Sequence, residues 1–309
     1  GVLLVVDECH KIGSDSYSDL CKLKIKNTLG LSATPERQND PIGTSRIFAF
    51  LGKIVDTYSL DQALADGHLS RYEYEIRRGH LSSSEQNEYN DLSEKIRKQI
   101  AYKKKDEPMS DYLKSLLLSA RNIVKSAEEK VPIAAEIVSL EYQNGQHWLI
   151  YCSDSNMMQI LKSKIMTLLP EVYPVLYWSG QSRFDRKNIL SKFKKDGGIM
   201  LAIKCLDEGV DIPAISHGII ISSSKTEREW IQRRGRLLRK SDLKTKSQIY
   251  DILCLPENKN AENRFLLDEI YRAREFCKNA DNNTLTSYQL QSIGEEYSCD
   301  EPEYGGEEE

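Results

Sequence analysis

The chain opens on an unbroken apolar run, Val2-Leu3-Leu4-Val5-Val6, that stops at Asp7-Glu8-Cys9-His10. Five residues are too few for a buried helix, and a β-branched run with no polar alternation predicts a parallel strand covered on both faces. Its carboxylates then stand beyond the carboxyl end of a strand, where open α/β sheets bind ligands. A helix is predicted near 16–26. A second short strand over 28–31 ends in Ser32-Ala33-Thr34-Pro35, so two strands deliver polar side chains to one edge. Further short strands are predicted at 47–50 and 53–58, then a helix that Asp61 caps and Gly67 stops, then an alternating strand over 72–77.

The pattern shifts at residue 82. Residues 82–130 are polar, lysine-rich and helical, broken once at Pro108, and predict a helical hairpin that is either a solvated spacer or a guide for nucleic acid. From 131 the rhythm is regular. Strand-like runs at 147–152, 173–177, 199–203, 217–222 and 248–253 alternate with helical stretches near 132–143, 154–168, 184–195, 226–234 and 261–277. Such alternation predicts a parallel sheet with helices on both faces. No periodic pattern follows residue 284.

Composition narrows the class. A length of 309 residues suggests two domains, and 39% hydrophobic with 29% charged residues describes a globular chain with a sizeable core. No apolar run approaches the roughly 20 residues of a membrane span. Seven cysteines without a CxxC pair predict reduced thiols in a cytoplasmic protein, not a zinc site or a disulfide frame. The net charge of −4 conceals an acidic end: residues 294–309 carry eight carboxylates and no basic residue, which leaves a body of +4. The segment 281–309 is expected to be a disordered tail, and either it or the helical hairpin is a candidate surface for a protein partner.

The densest basic cluster is Ile231-Gln232-Arg233-Arg234-Gly235-Arg236-Leu237-Leu238-Arg239-Lys240, with five basic residues in ten. Gly235 in a helical stretch suggests a bend or a close approach. Arg236 and Arg239, three apart, project from one face of a helix, and planar guanidiniums suit phosphate oxygens. At the other end of the chain, Asp7 is a ligand type suited to magnesium, which takes one or two protein carboxylates, and Glu8 can deprotonate an attacking water. Phosphoryl transfer also needs positive charge opposite the leaving phosphate, which Arg236 and Arg239 can supply.

Four segments in order, Asp7-Glu8-Cys9-His10, Leu31-Ser32-Ala33-Thr34-Pro35-Glu36-Arg37, Glu208-Gly209-Val210-Asp211-Ile212-Pro213 and Gln232-Arg233-Arg234-Gly235-Arg236-Leu237-Leu238-Arg239, resemble motifs II, III, V and VI of the superfamily 2 DEAD/DEAH-type helicases. The wording is most similar to the XPB-like DNA helicases and the restriction-enzyme motors. The resemblance implies an α/β fold of tandem RecA-like domains that use ATP and Mg²⁺ at an inter-domain cleft to move on nucleic acid, with DNA favoured over RNA. Residues 1–78 would be the later part of the first domain, 79–130 a linker insert, and 131–280 the second domain.

Residue by residue, the resemblance makes Asp7 the magnesium ligand and Glu8 the catalytic base. His10, Ser32 and Thr34 couple the nucleotide to the nucleic-acid site. Asp211 meets the ribose, with Gly209 permitting close backbone approach, Gln232 senses the terminal phosphate, and Arg236 and Arg239 are arginine fingers. Tyr151-Cys152-Ser153 resembles motif IV, and Ser179-Gly180 with Arg186 the segment after it. Ser153, Gly180, Arg186 and Lys204 are therefore candidates for the nucleic-acid backbone, although each short match is equally compatible with a structural role. Two departures stand out: Ile203, followed by Lys204, replaces the usual hydroxyl of motif V, and no GxGKT-like loop precedes motif II. The expectation is therefore a portion of a longer helicase, inactive by itself. The alternatives are a nucleic-acid-binding module without catalysis and an RNA-directed helicase.

Overall fold

A computed structural model describes residues 1–37, 40–102, 109–203, 215–222, 227–241, 244–257 and 264–297. Contacts divide the chain into two compact units, Gly1–Asp66 with Ser224–Gln232 and Gly67–Ser223 with Arg233–Glu309.

In the first unit, β1 (Leu3–Asp7) pairs in parallel with β2 (Asn27–Leu31), Val5 opposite Leu29 and Asp7 opposite Leu31. A parallel pair needs a crossover. Here it is made by two 3-10 segments, Cys9–Gly13 and Asp15–Lys22, where the sequence suggested one helix near 16–26. Helix α1 (Pro41–Leu51) follows, with Asp40 accepting from the Gly43 N–H and Pro41 in the first turn. It sets Ile47 against Cys9 and Ile12 as the unit's small core.

The strand expected at 47–50 is thus helix, because the cap and proline start a turn whose apolar residues fall at helical spacing. The strand expected at 53–58 does not form; that segment has no regular structure and is exposed. In α2 (Leu60–Ala65) the cap is Ser59, in a reciprocal capping box with Gln62, rather than Asp61. One face of the two-stranded sheet, carrying Leu3, Val5, Leu29 and Leu31, is exposed.

The second unit is built on β3 (Arg71–His80), α3 (Ser83–Tyr102), α4 (Asp111–Lys125), α5 (Lys130–Glu141), β4 (His147–Tyr151), α6 (Ser155–Leu168) and β5 (Val175–Tyr177). It continues with α7 (Arg183–Asp196), β6 (Gly198–Ala202), β7 (His217–Ile220), the end of α8 (Glu227–Leu237) from Arg233 onward, β8 (Lys246–Leu255), α9 (Arg264–Cys277) and α10 (Asn283–Glu296). The six strands form one sheet in the order β3-β8-β7-β4-β6-β5, every pair parallel.

Both faces are covered, which is why strands such as Trp148-Leu149-Ile150-Tyr151 are apolar without alternation. Trp148, Ile150, Ile199, Leu201, Ile219 and Ile252 pack on one face with residues of α3, α4, α5 and α6. On the other, Tyr74 stacks on Phe276 of α9 and Tyr151 lies under Arg233 of α8.

Three expectations are corrected. The boundary at 78 falls inside this unit, because β3 pairs with β8 over its full ten residues. The hairpin of α3 and α4 is no solvated spacer along its inner face: Tyr89, Ile96, Leu113 and Leu116 join the main core. The tail expected from 281 forms α10 as far as Glu296, anchored by buried Thr286, Leu290 and Ile293, and residues 298–309 lie outside the described residues. The outer edge of β3 is closed by Asn282, whose side-chain oxygen accepts the Tyr74 N–H while its Nδ2 donates to the Tyr74 carbonyl, both at 3.0 Å.

His217 gives this unit a pH dependence. It stacks on Trp148 at 4.4 Å, and burial pushes its imidazole down to about 4. The unfolded chain therefore binds the proton first, between the ordinary histidine value of about 6.5 and about 4. Stability contributed by neutral His217 is present above about 6.5 and is lost as pH falls toward 4. In urea denaturation from pH 7 to 4, His217→Phe, which keeps the stack, is expected to flatten the acid loss. An unchanged slope would assign that loss to other groups.

Candidate active site

The residues of the first unit converge on the carboxyl ends of β1 and β2. Asp7, the last residue of β1, is exposed, and its Oδ1 accepts the Glu8 N–H at 2.9 Å. Glu8 takes φ 50° and ψ 49°, the one positive φ outside glycine among the described residues. That conformation costs about 1–2 kcal/mol for a residue with a Cβ. It turns the chain sharply out of the strand into the 3-10 segment Cys9–Gly13.

His10 is buried, with Nδ1 3.3 Å from Glu8 Oε2 and 3.3 Å from Ser32 Oγ. Ser32 Oγ also accepts the Thr34 N–H at 3.2 Å. The imidazole therefore joins the acidic turn after β1 to the Ser-Ala-Thr turn after β2. Gln232, counted with this unit, donates Nε2 to Glu8 Oε1 at 3.2 Å. Asp7, Glu8, His10, Ser32, Thr34 and Gln232 are thus brought together. The donor set fits magnesium, which asks for one or two protein carboxylates and keeps most of its waters: Asp7 is such a carboxylate, at a strand's carboxyl end.

In the second unit the basic cluster divides. Arg233 and Arg234, undistinguished in the sequence, are 5% and 8% exposed and serve as anchors. Arg233 Nη1 donates to the Ser222 carbonyl at 3.1 Å, with its guanidinium 4.7 Å from the Tyr151 ring centroid. Arg234 Nη1 donates to the Glu275 carbonyl at 2.7 Å, in the last turn of α9. The far end of α8 is held by Lys244, whose Nζ donates to the Leu237 and Ile215 carbonyls at 2.8 and 2.7 Å, with burial pushing its ammonium down to about 8.

Arg236 is half-buried in the last turn of α8. Arg239 is not on its helical face: α8 ends at Leu237, and Arg239 forms an antiparallel bridge with Leu69. The expected close approach at Gly235 is also absent, since a Cβ there would meet nothing within 4 Å. Ser153 and Gly180 follow β4 and β5, which share a direction, so both lie at one carboxyl edge of the sheet. Arg186 sits in the first turn of α7, which Ser182 caps by accepting the Asp185 N–H at 3.1 Å. Lys204, Gly209 and Asp211 lie outside the described residues.

Two family descriptions match the chain: SWI2/SNF2 ATPase over residues 1–107 and Helicase conserved C-terminal domain over residues 129–241. The chain belongs to the superfamily 2 helicases. Among curated relatives of this helicase-family chain is the DNA 3′–5′ translocase XPB2 of Sulfurisphaera tokodaii, 28% identical over 260 residues, which cover 78% of the chain and 56% of the relative. Another, from Methanocaldococcus jannaschii, is assigned in name as an ATP-dependent RNA helicase; it is 25% identical over 47% of the chain and 17% of its own length. The helicase chain thus spans about half the length of the first relative and less of the second. Among solved structures, the ATP-dependent Type ISP restriction-modification enzyme LlaBIII bound to DNA shares the fold, with a TM-score of 0.51 at 14% identity over 90% of this chain and 20% of that one.

Proposed function

We propose that this helicase chain belongs to an ATP-driven translocase or helicase that acts on DNA. The observation that carries the reading is the Glu8 carboxylate, set by a left-handed residue at the carboxyl end of a parallel strand and linked through buried His10 to Ser32. The XPB2 relative, a DNA translocase by name, supports DNA as the partner.

In the proposed reaction a water oxygen attacks the terminal phosphorus of ATP and the bond to the bridging oxygen breaks. The water's proton passes to Glu8, and ADP and phosphate leave. Magnesium, when bound through Asp7, supplies charge neutralisation on the phosphate oxygens. Arg236 and Arg239 are assigned to the developing negative charge, Gln232 to the terminal phosphate, and Asp211 to the ribose, with Gly209 allowing the backbone close to the nucleotide. His10, Ser32 and Thr34 carry the state of the phosphate from one turn to the other. Ser153, Gly180, Arg186 and Lys204 are assigned to the nucleic-acid backbone.

The test is ATP hydrolysis by the full-length protein carrying this chain, with no nucleic acid, duplex DNA or duplex RNA. DNA is expected to stimulate turnover at least about tenfold, a difference of ~1.4 kcal/mol in barrier. Stronger stimulation by RNA would move the substrate to RNA. Salt-dependent DNA binding with no hydrolysis would favour a binding module and overturn the reading.

A further inference from the structure

A backbone held in a sparsely populated conformation persists only where its surroundings over-determine it. Around Glu8 the surroundings are two guanidiniums that grip the 3-10 segment it leads into. Arg37 Nη1 donates to the His10 carbonyl and Arg46 Nη1 to the Gly13 carbonyl, each at 2.8 Å. The carbonyl of Gly13, the last residue of so short a helical segment, has no partner within it, and cationic side chains are suited to such terminal carbonyls.

Both arginines are themselves fixed. Arg37 Nε donates to Asp40 Oδ2 at 2.6 Å, its own N–H to Thr44 Oγ1 at 2.9 Å, and Asp40 Oδ1 takes the Gly43 N–H at 2.8 Å. The Gly43 N–H bond, and then Arg37, hold the Asp40 carboxyl below its usual range, so it stays charged. Arg46 Nη2 reaches Asp15 Oδ1 at 3.1 Å. The Arg37 side chain passes between two glycines with no space to spare: a Cβ on Gly13 would meet Arg37 Cδ at 2.5 Å, and one on Gly43 would meet Arg37 Nε at 2.7 Å. The grip reaches Glu8 through the backbone, since the Ser14 N–H bonds to the Lys11 carbonyl and the Lys11 N–H to the Glu8 carbonyl, both at 3.0 Å.

We propose that Arg37 and Arg46 are positioning residues that hold Glu8 in its left-handed conformation and so aim its carboxylate. The aim of the carboxylate rests on the function proposed above; the hold on the backbone does not. Without the clamp the segment relaxes and the left-handed requirement at position 8 disappears.

That requirement is measurable without any activity. Asn accepts left-handed geometry more readily than Gln, and both are neutral amides. Hydrogen exchange of the Lys11 and Ser14 amides is compared for Glu8→Asn and Glu8→Gln, each in the parent chain and with Arg37→Met. In the parent, Asn is expected to give about threefold or more protection over Gln, and with Arg37→Met a ratio near one. An equal ratio in both backgrounds overturns the proposal. Should Arg37→Met fail to fold, as read from exchange in β2, Arg46→Met is the second background under the same criterion. In the full-length enzyme Arg37→Met is expected to lower kcat about tenfold with KM for ATP within about twofold, and Arg37→Lys to recover part of the loss. A parent without hydrolysis defeats the proposed function, and the exchange ratio still decides the clamp.

Discussion

Glu8→Gln is expected to lower DNA-stimulated ATP hydrolysis by about two orders of magnitude or more, with ATP still bound. The amide has the size of the carboxylate, and its oxygen can still accept the Gln232 Nε2 that lies 3.2 Å from Glu8 Oε1. What it lacks is a basic oxygen for the proton of the attacking water. Loss of turnover with intact binding therefore isolates proton transfer from nucleotide affinity. The measurement pairs steady-state hydrolysis with equilibrium ATP binding in the full-length protein. Undiminished turnover in the variant would remove Glu8 from the role of base and leave it a structural residue of the turn.

The largest stability effect is expected at Arg272. In the second unit Asp251 is 1% exposed and takes two bonds from this guanidinium, at 2.5 and 3.1 Å, and a third from the Tyr74 hydroxyl at 2.5 Å. Glu269 accepts from the same Nη2 at 3.0 Å. Burial opposes the guanidinium's charge, but Asp251 and Glu269 outweigh it and hold the pKa above the ordinary arginine value.

Arg272→Met would strand two buried carboxylates, and removing one partner of such a group costs ~3–5 kcal/mol. Many domains have only about 5–15 kcal/mol in all. Adding Asp251→Asn, which keeps an acceptor for Tyr74, should recover part of the loss. Urea denaturation measures both, and a loss below about 1 kcal/mol in the single variant would show the network to be dispensable.

The second sheet was legible because burial on two faces writes itself as continuous apolar runs. The strands at 147–151 and 198–202 and the helices between them fall within a residue or two of the pattern. β3 was legible as a strand but not as a member of that sheet, since pairing over a separation of more than 160 residues leaves no local trace. The error at 47–50 has a similar cause: four residues of Ile-Phe-Ala-Phe suit either strand or helix, and the deciding cap lies at Asp40. In the site, residue types marked Asp7, Glu8, His10 and Ser32 as polar groups at strand ends. Arg233 and Arg37 carried no such signal. Among neighbouring basic residues, the sequence does not tell which guanidinium points into the core and which faces a ligand.

Asn282 bears on how the protein behaves in a crowd. A ten-residue edge strand offers a template on which another chain can add by main-chain bonding, a route to fibres and misassembly. By giving Tyr74 a donor and an acceptor from one side chain, Asn282 imitates the next strand at a single residue, and α10 lies alongside. Asn282 and α10 therefore act as a stopper on the outer edge of β3. A chain cut before residue 282 would retain its motifs and lose its protection against self-association.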